Sequence, residues 1–253
     1  MAAPLPAPLA LLEHLGLPAR VAPASPAAGR LRRPPPPAYA ADGQLRHLLA
    51  GALLFGRDEP MDAVHVVLRG SLKLRFHGVR DTGPLLGFAF PGDLVGLDAR
   101  PFATRRIEAV ALEPSLVVRL PLAQIEARAA EDPVLLGLWW KALATTLRQR
   151  IEHTELLDIR QAPLRVLGFL RQLAARQGRC QGPEGHAYLP MARSDIASHL
   201  CLALESVSRA FGRLEARGEL QARGLRHVGL RCPQAAVLAP PGLRHSVAAA
   251  FGT

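Results

Sequence analysis

The chain has 253 residues, 49% of them hydrophobic, so it can bury the core of one large domain or of two ordinary ones. No apolar run approaches the roughly 18 residues of a membrane-spanning helix, and the N-terminus lacks the basic start of a secretory signal. The net charge is +10. The three cysteines have no metal-ligand spacing, which favours a reduced cytoplasmic protein, and we expect no membrane contact.

The first part of the chain contains two segments of different character. Residues 1–44 are rich in alanine and proline, so we expect a mobile segment in which only LALLEHLGL forms a short amphipathic helix. Residues 45–128 contain short apolar runs separated by turn signals. In AVHVVLRG and SLKLRFHG apolar residues recur at every second position, which predicts the strands of a small antiparallel barrel or sandwich.

A long helix is predicted for residues 129–159, with an apolar stripe that runs for about seven turns. We expect this stripe to pair with its own copy in a parallel homodimer. Packing of the stripe on the chain's own barrel is the alternative, and Trp139 and Trp140 suit either role. The stripe consists of Leu135, Trp139, Ala142 or Leu143, Thr146, His153 and Leu156.

Residues 160–232 predict a helix, two short helices separated by a tight turn, and a hairpin turning at Arg223-Gly224, with residues 233–253 as a tail. This is the order of a winged helix-turn-helix. The segment carries twelve arginines and five acidic residues, a net +7, which indicates a polyanionic partner. A merely solvated basic surface is the alternative.

The second short helix carries three polar residues on one face. Glu205, Ser208 and Arg209 are spaced i, i+3 and i+4, opposite the predicted buried stripe. Recognition helices contact base edges with their first turns, and arginine pairs with guanine O6 and N7. An i,i+4 Glu–Arg surface pair is the structural alternative. The inward-facing residues are Ile196, Ala197 and Leu200 in the first short helix and Val207, Ala210, Phe211 and Leu214 in the second.

Three stretches resemble the Fnr branch of the Crp/Fnr family of bacterial transcription regulators. They are ESVSR at 205–209, FPGDLVGLDA at 90–99 and ALEPSLVVRLP at 111–121, and the similarity covers roughly residues 51–232. The resemblance implies an α+β fold. Its parts are an N-terminal cyclic-nucleotide-binding-like β-roll at 45–128, a long dimerisation helix at 129–159, and a C-terminal winged helix-turn-helix at 160–232.

The resemblance also implies a function and its residues. Double-stranded DNA with an inverted repeat of TTGA-type half-sites is the expected partner of a homodimer, with apolar contact from Leu204 to the first base pair. The Leu97-Asp98-Ala99 loop resembles a surface that contacts RNA polymerase, which favours an activator. Oxygen limitation, nitrogen oxides or redox state is the implied signal. The predicted DNA-binding residues are Leu204, Glu205, Ser208, Arg209, Arg193 and Arg213.

The chain departs from the family at its cofactor positions. Fnr proper holds an iron–sulfur cluster on cysteine thiolates, but no cysteine precedes Cys180 and Val118 occupies the barrel position, so we expect no cluster. Haem, as in the branch that senses nitric oxide, is an alternative, and operation without a ligand is another. The candidate haem ligands are His14, His47, His65 and His77.

The phosphate cassette of the cyclic-nucleotide-binding relatives is also altered. Gly92-Asp93 stands for Gly-Glu, and Arg105-Arg106 for Arg-Ser. The shorter acid and the second arginine argue against cyclic AMP, although Arg105 could meet a phosphate of another effector. Gly92, Asp93 and Arg105 are therefore the candidate effector-binding residues, and a solvated surface position is the alternative for Arg105.

Three positions near the recognition helix depart from the family as well. Ala192 and Ala203 stand where relatives carry a helix-capping Ser or Thr, and loss of a cap typically costs about 1 kcal/mol. Cys201 replaces a turn glycine, so its side chain is strained if φ is positive. A redox-reactive thiol and a small, partly buried residue are the two interpretations of Cys201. We therefore expect weaker DNA binding than in relatives.

Two other classes of function compete with a transcription regulator. A cupin-like enzyme needs clustered His and Glu ligands with a His-x-His pair, and the sequence has none, so we predict no enzyme. An effector-binding module with weakened DNA binding is supported by the missing caps. A regulator that responds to a cyclic nucleotide or another ligand is the further alternative.

Overall fold

The computed structural model describes residues 5–19, 44–76, 83–97, 104–178, 180–181, 184–224 and 226–231. The chain forms two compact units, residues 1–147 and 148–253, and the division falls inside the long helix. Several residues with sequence-based roles lie outside the described part: His77, Asp98, Ala99, Cys232, the tail 233–253 and most of the alanine- and proline-rich segment.

The first unit contains two four-stranded antiparallel sheets that form the β-roll. One sheet has the order β1-β8-β3-β6 and the other β2-β7-β4-β5. The prediction of a small antiparallel barrel is confirmed, although the sequence pattern missed the first and seventh strands. The strands are β1 (Gln44–Leu48), β2 (Leu53–Phe55), β3 (Ala63–Arg69), β4 (Leu72–Phe76), β5 (Leu85–Ala89), β6 (Leu94–Val95), β7 (Ile107–Ala111) and β8 (Ser115–Pro121).

Strand β3 is buried on both faces, which explains its nearly continuous apolar sequence. Val64 and Val66 pack outward into a cluster that the helices of this unit complete, whereas Val67 joins the interior of the roll with Phe55 and Leu72. Because side chains alternate along a strand, His65 points to the same inner side as Val67.

Helix α1 (Ala7–His14) is docked on the roll, although the sequence predicts a mobile segment. Leu11 and Leu12 are fully buried in the outer cluster, and the described part of the segment therefore belongs to the core. His14 Nε2 lies 2.6 Å from Asp132 Oδ2. The interpretation as mobile failed for residues 5–19 because four buried leucines offset the cost of ordering them.

Helices α2 (Leu122–Glu131) and α3 (Pro133–Asp158) follow the last strand of the roll. Asp132 caps α3, since its Oδ1 accepts hydrogen bonds from the Val134 and Leu135 amides at 2.9 and 3.1 Å. This cap stands at the same carboxylate that His14 contacts, so α1 is tied to the first turn of the long helix.

The first part of the stripe expected to pair on α3 packs inward instead. Leu135 and Ala142 are buried in the unit's own core and Trp139 packs against it, as in the alternative interpretation. The unpacked apolar face lies beside that stripe, and its most exposed member is Trp140, at 64%. The exposed face consists of Leu136, Trp140, Leu147 and Ile151.

The second unit is a winged helix-turn-helix, as predicted. Its sheet has the order β11-β12-β10-β9, with β11 and β12 as the antiparallel wing hairpin. The elements are α4 (Ala162–Arg176), β9 (Cys180–Gln181), β10 (Glu184–Tyr188), α5 (Arg193–His199), α6 (Leu204–Ala216), β11 (Leu220–Ala222) and β12 (His227–Arg231).

Candidate DNA-binding interface

Helix α6 has the two faces that its sequence predicts. Val207, Ala210, Phe211 and Leu214 are buried, and Ile196, Ala197 and Leu200 of the preceding helix region are buried with them. This packing fixes the rotation of α6 about its axis. The opposite face of the helix is therefore exposed to solvent.

The polar triplet lies on that outer face. Glu205, Ser208 and Arg209 are all exposed, and Leu204 beside them is 45% exposed although it is apolar. Within the described residues no ion pair joins Glu205 to Arg209. The surface-pair alternative is therefore not realised, and both charged groups are available to a partner.

The two further arginines of the predicted set lie in different environments. Arg213 is exposed one turn beyond Arg209 on α6. Arg193 is half-buried, with its guanidinium carbon 3.1 Å from the centre of the Phe211 ring, and its Nη1 has no partner among the described residues. Burial lowers the pKa of Arg193. Its side chain therefore stabilises the contact between α5 and α6 through a cation–π interaction.

The helix ends match the expectation of missing caps. Neither Ala192 nor Ala203 forms a side-chain cap, and the hydrogen bond from the Ala192 amide to Asp195 Oδ2 is long, at 3.4 Å. Cys201 has φ of +52° and is exposed. The positive φ confirms the condition for strain, and the interpretation of Cys201 as a partly buried residue is wrong.

Some arginines of the basic segment serve the domain internally. Arg165 donates to two backbone carbonyls and Arg171 Nη2 donates to Arg231 O at 3.2 Å. Together with Arg193 they account for three of the twelve arginines, so the net +7 overstates the charge available to DNA. Sequence alone could not separate them, because arginines at helical spacing look alike on either face.

The wing exposes two arginines that the sequence-based set omits. Arg223 and Arg226 flank the tip glycine Gly224, whose φ is +79°. The described hydrogen bonds of their side chains are long: Arg223 Nη2 donates to Gln221 Oε1 at 3.4 Å and Arg226 Nη1 to Tyr188 OH at 3.5 Å. The sequence did contain this signal, because it places arginines at the tip of a predicted hairpin that follows the predicted recognition helix.

The three candidate effector residues of the roll have three different neighbours. Gly92 has φ of +91° and lies against Pro6, Asp93 Oδ2 accepts from the Phe90 amide at 2.6 Å, and Arg105 is only 2% exposed. The solvated position considered for Arg105 is therefore wrong.

The side chain of Arg105 is held inside the roll. Its Nη2 donates to Ala63 O at 2.7 Å, and its guanidinium carbon lies 4.0 Å from the centre of the Phe55 ring. Gly96 has φ of +96°, which disfavours any other residue, and a Cβ there would also come within 2.8 Å of Arg105 Nη1. The predicted role of Arg105 toward an effector phosphate stays a prediction.

His65 is another buried polar residue of the roll. It is 2% exposed, its ring centre lies 5.6 Å from that of Phe55, and neither ring nitrogen has a partner among the described residues. Burial, reinforced by the charge of Arg105, lowers its pKa to about 3. His65 is therefore neutral at physiological pH.

Of the other candidate haem ligands, His14 contacts Asp132 and His47 is exposed on the edge strand β1. Across the described ranges no group of three or more His, Cys, Asp or Glu side chains could hold a metal ion. Nor does any described helix have the length and apolar character to cross a membrane.

Known proteins match both units of the chain. The cyclic nucleotide-binding domain family matches residues 45–132, and the Crp-like helix-turn-helix domain family matches residues 164–239. Transcriptional activator protein Anr of Pseudomonas aeruginosa is 31% identical over 71% of this chain and 73% of its own length. The chain belongs to the Crp/Fnr family of transcription regulators. Crp/Fnr membership makes it a DNA-binding transcription regulator with the predicted α+β fold.

Other members of the Crp/Fnr family agree with this assignment. The nitrogen fixation regulation protein FixK of Azorhizobium caulinodans is 34% identical over 70% of this chain and 71% of its own length. The solved structure of FixK2 from Bradyrhizobium japonicum superposes with a TM-score of 0.66 at 28% identity, covering 76% of this chain and 94% of that one. The curated relatives are named as a transcriptional activator and a regulator of nitrogen fixation.

Proposed function

We propose that this Crp/Fnr regulator reads an inverted repeat of TTGA-type half-sites as a homodimer. The observation that carries the proposal is the exposed Glu205–Ser208–Arg209 face of α6, free of internal ion pairs in the described residues. Arginine recognises guanine O6 and N7, and glutamate accepts from cytosine N4, so the triplet suits a G·C pair within the half-site. Leu204 supplies the apolar surface that suits a thymine methyl group.

The exposed apolar face of α3 is the proposed dimer contact. Leu136, Trp140, Leu147 and Ile151 recur at intervals of four, seven and four residues, which keeps them on one side of the helix. Gly137 lies beside them with open space around it, so a partner helix can approach closely. Two recognition helices related by a two-fold axis match an inverted repeat.

Oxygen limitation, nitrogen oxides or redox state is the proposed class of signal. Support comes from the names of relatives, which include an anaerobic regulatory protein of Pasteurella multocida, 28% identical over 68% of this chain. An iron–sulfur cluster does not fit, because no cysteine precedes Cys180 and Val118 is buried in the apolar outer cluster. An absorption spectrum of the purified protein tests haem; of the three candidate histidines that the structure describes, His65 is the one that is buried without a described partner.

Control by a cyclic nucleotide or another ligand is the alternative signal. The match to the cyclic nucleotide-binding domain family supports it. Arg105 argues against cyclic AMP, because its guanidinium is already engaged by the Ala63 carbonyl and the Phe55 ring. We propose a cytoplasmic activator, with RNA polymerase as the second partner because of the resemblance of the Leu97 loop. Transcription in vitro from a promoter carrying the inverted repeat tests activation.

Fluorescence anisotropy with a labelled TTGAT–N4–ATCAA duplex tests the DNA-binding proposal. Specific regulators bind their sites at least about 1,000-fold more tightly than unrelated DNA at physiological salt. We expect that ratio or somewhat less, because α6 lacks a capping side chain. Equal affinity for a scrambled duplex would favour an effector-binding module that has lost specific DNA binding.

A further inference from the structure

The turn between α5 and the recognition helix α6 contains a strained residue. Cys201 adopts φ of +52°, in the left-handed region where a residue with a Cβ is disfavoured. Two hydrogen bonds close the end of α5 around it: Leu202 N donates to Ala197 O at 2.9 Å, and Cys201 N to Ser198 O at 3.3 Å. This is the helix-ending pattern in which glycine normally takes the left-handed position.

A single arginine holds this turn from the neighbouring helix. Arg165, in the first turn of α4, donates from Nη1 to Leu200 O at 2.8 Å and from Nε to Ile159 O at 2.8 Å. Leu200 caps the C-terminus of α5, and Ile159 directly follows the last residue of α3. Carbonyls at helix C-termini carry partial negative charge and lack helical donors, so the guanidinium satisfies both with charge-assisted bonds.

A second contact holds the last turn of α5 in place beside that turn. The rings of His199 on α5 and His153 on α3 stack with centres 4.0 Å apart and an angle of 15°. Phe169 of α4 meets His199 edge-on at 5.5 Å. The last turn of α5 is therefore fixed by aromatic packing, and the residue after it is fixed by Arg165.

We propose that Arg165 is a positioning residue for DNA recognition: it fixes the Leu200 carbonyl and so holds the strained Cys201 turn that aims α6. The proposal rests on the proposed DNA-binding function of α6. The proposal assigns Arg165 no base or phosphate contact of its own, because its Nε and Nη1 groups donate to protein carbonyls. Helix α6 begins four residues after Leu200. A rotation of the Leu200 peptide group would therefore change the orientation of Leu204 and Glu205 at the start of α6.

The test combines Arg165 and Cys201 in a double-mutant cycle. We expect Arg165→Met to weaken binding to the inverted repeat at least about tenfold, with little change for a scrambled duplex. In the Cys201→Gly background the same substitution should cost about threefold or less, since glycine adopts the turn without help. Arg165→Lys keeps the charge but not the two-pronged geometry, so it should fall between wild type and Arg165→Met.

Two further readouts separate positioning from other roles. The salt dependence of specific binding should keep its slope in Arg165→Met, whereas loss of a phosphate contact would reduce the slope by about one. Amide hydrogen exchange needs no DNA: the Leu202 amide should exchange at least tenfold faster in Arg165→Met, while amides in the middle of α6 keep their wild-type rates.

The outcomes distinguish this proposal from the proposed function. A wild-type protein that does not prefer the inverted repeat refutes the proposed function, and unchanged exchange at Leu202 refutes the positioning role in either case. Equal losses of affinity in the Cys201 and Cys201→Gly backgrounds also overturn it. If Arg165→Met does not fold, the Arg165→Lys variant and the same exchange measurement decide the question.

Discussion

The β-roll and the DNA-binding unit place the polar residues of their candidate sites differently. In the roll, His65 and Arg105 are each 2% exposed and lie in the interior. In the DNA-binding unit, Glu205, Ser208 and Arg209 are exposed on the outer face of one helix. The candidate DNA-binding residues of α6 are exposed to solvent, whereas Arg105, a candidate effector-binding residue, is enclosed in the roll.

The two sites also differ in how far apart their residues lie in the sequence. The triplet on α6 is set by the helical repeat and by four buried residues on the same helix. The interior of the roll joins residues from distant strands: Arg105 bonds to Ala63 and lies on Phe55. Mutations should therefore act on fold stability in the roll and on DNA affinity in α6.

A pair of turn glycines tests this difference in packing. Gly70 in the roll and Gly224 in the wing have nearly equal φ, +82° and +79°. A Cβ at Gly70 would lie 2.2 Å from Ser115 Oγ and 2.7 Å from Pro114 O, whereas Gly224 has nothing within 4 Å. Gly70→Ala should destabilise the roll by about 3 kcal/mol or more, and Gly224→Ala should cost about 1 kcal/mol from φ alone.

Thermal unfolding followed by tryptophan fluorescence measures the first of these effects, since Trp139 and Trp140 both lie in the unit that contains the roll. Circular dichroism over the whole chain measures the second. Equal shifts in the two variants would show that the roll is not packed around Gly70 as described.

The enclosed histidine makes the roll sensitive to acid. The pKa of His65 is about 3 in the folded protein and about 6.5 when unfolded, so its contribution to stability is complete above pH 6.5 and is lost as the pH falls toward 3. Between pH 7.5 and pH 5 the loss should be about 2 kcal/mol. His65→Leu should remove that part of the pH dependence in urea unfolding, and an unchanged pH profile would contradict the buried, unpartnered ring.

A substitution at the exposed start of α6 should have a smaller effect, and it should stabilise the protein. Ala203 occupies the cap position without a side-chain hydrogen bond. Ala203→Ser should stabilise the DNA-binding unit by about 1 kcal/mol, because the hydroxyl can accept from an amide of the first turn. Calorimetry measures the gain, and Ala203→Val, which cannot accept a hydrogen bond, is the control. A gain in both variants would point to a cause other than capping.

Sequence periodicity predicted the elements whose environment is simple. The buried and exposed faces of α6 and the wing hairpin follow from local patterns, and the structure agrees. The docking of α1 and the burial of Arg105 depend on residues far away in the chain, which no local pattern records. Helix α3 has two apolar faces side by side, and residue spacing cannot distinguish them. The predicted pairing stripe therefore included residues that pack inward.

The affinity of wild type and Arg209→Ala for two duplexes tests the central claim, that α6 reads DNA through its outward face. One duplex carries the TTGA inverted repeat, and in the other the guanine of each half-site is replaced by adenine. Wild type should lose about 1–3 kcal/mol of binding free energy per altered base pair, and Arg209→Ala should lose clearly less, because only Glu205 would still distinguish the G·C pair. A variant that keeps the full discrimination of wild type would show that Arg209 does not read the base.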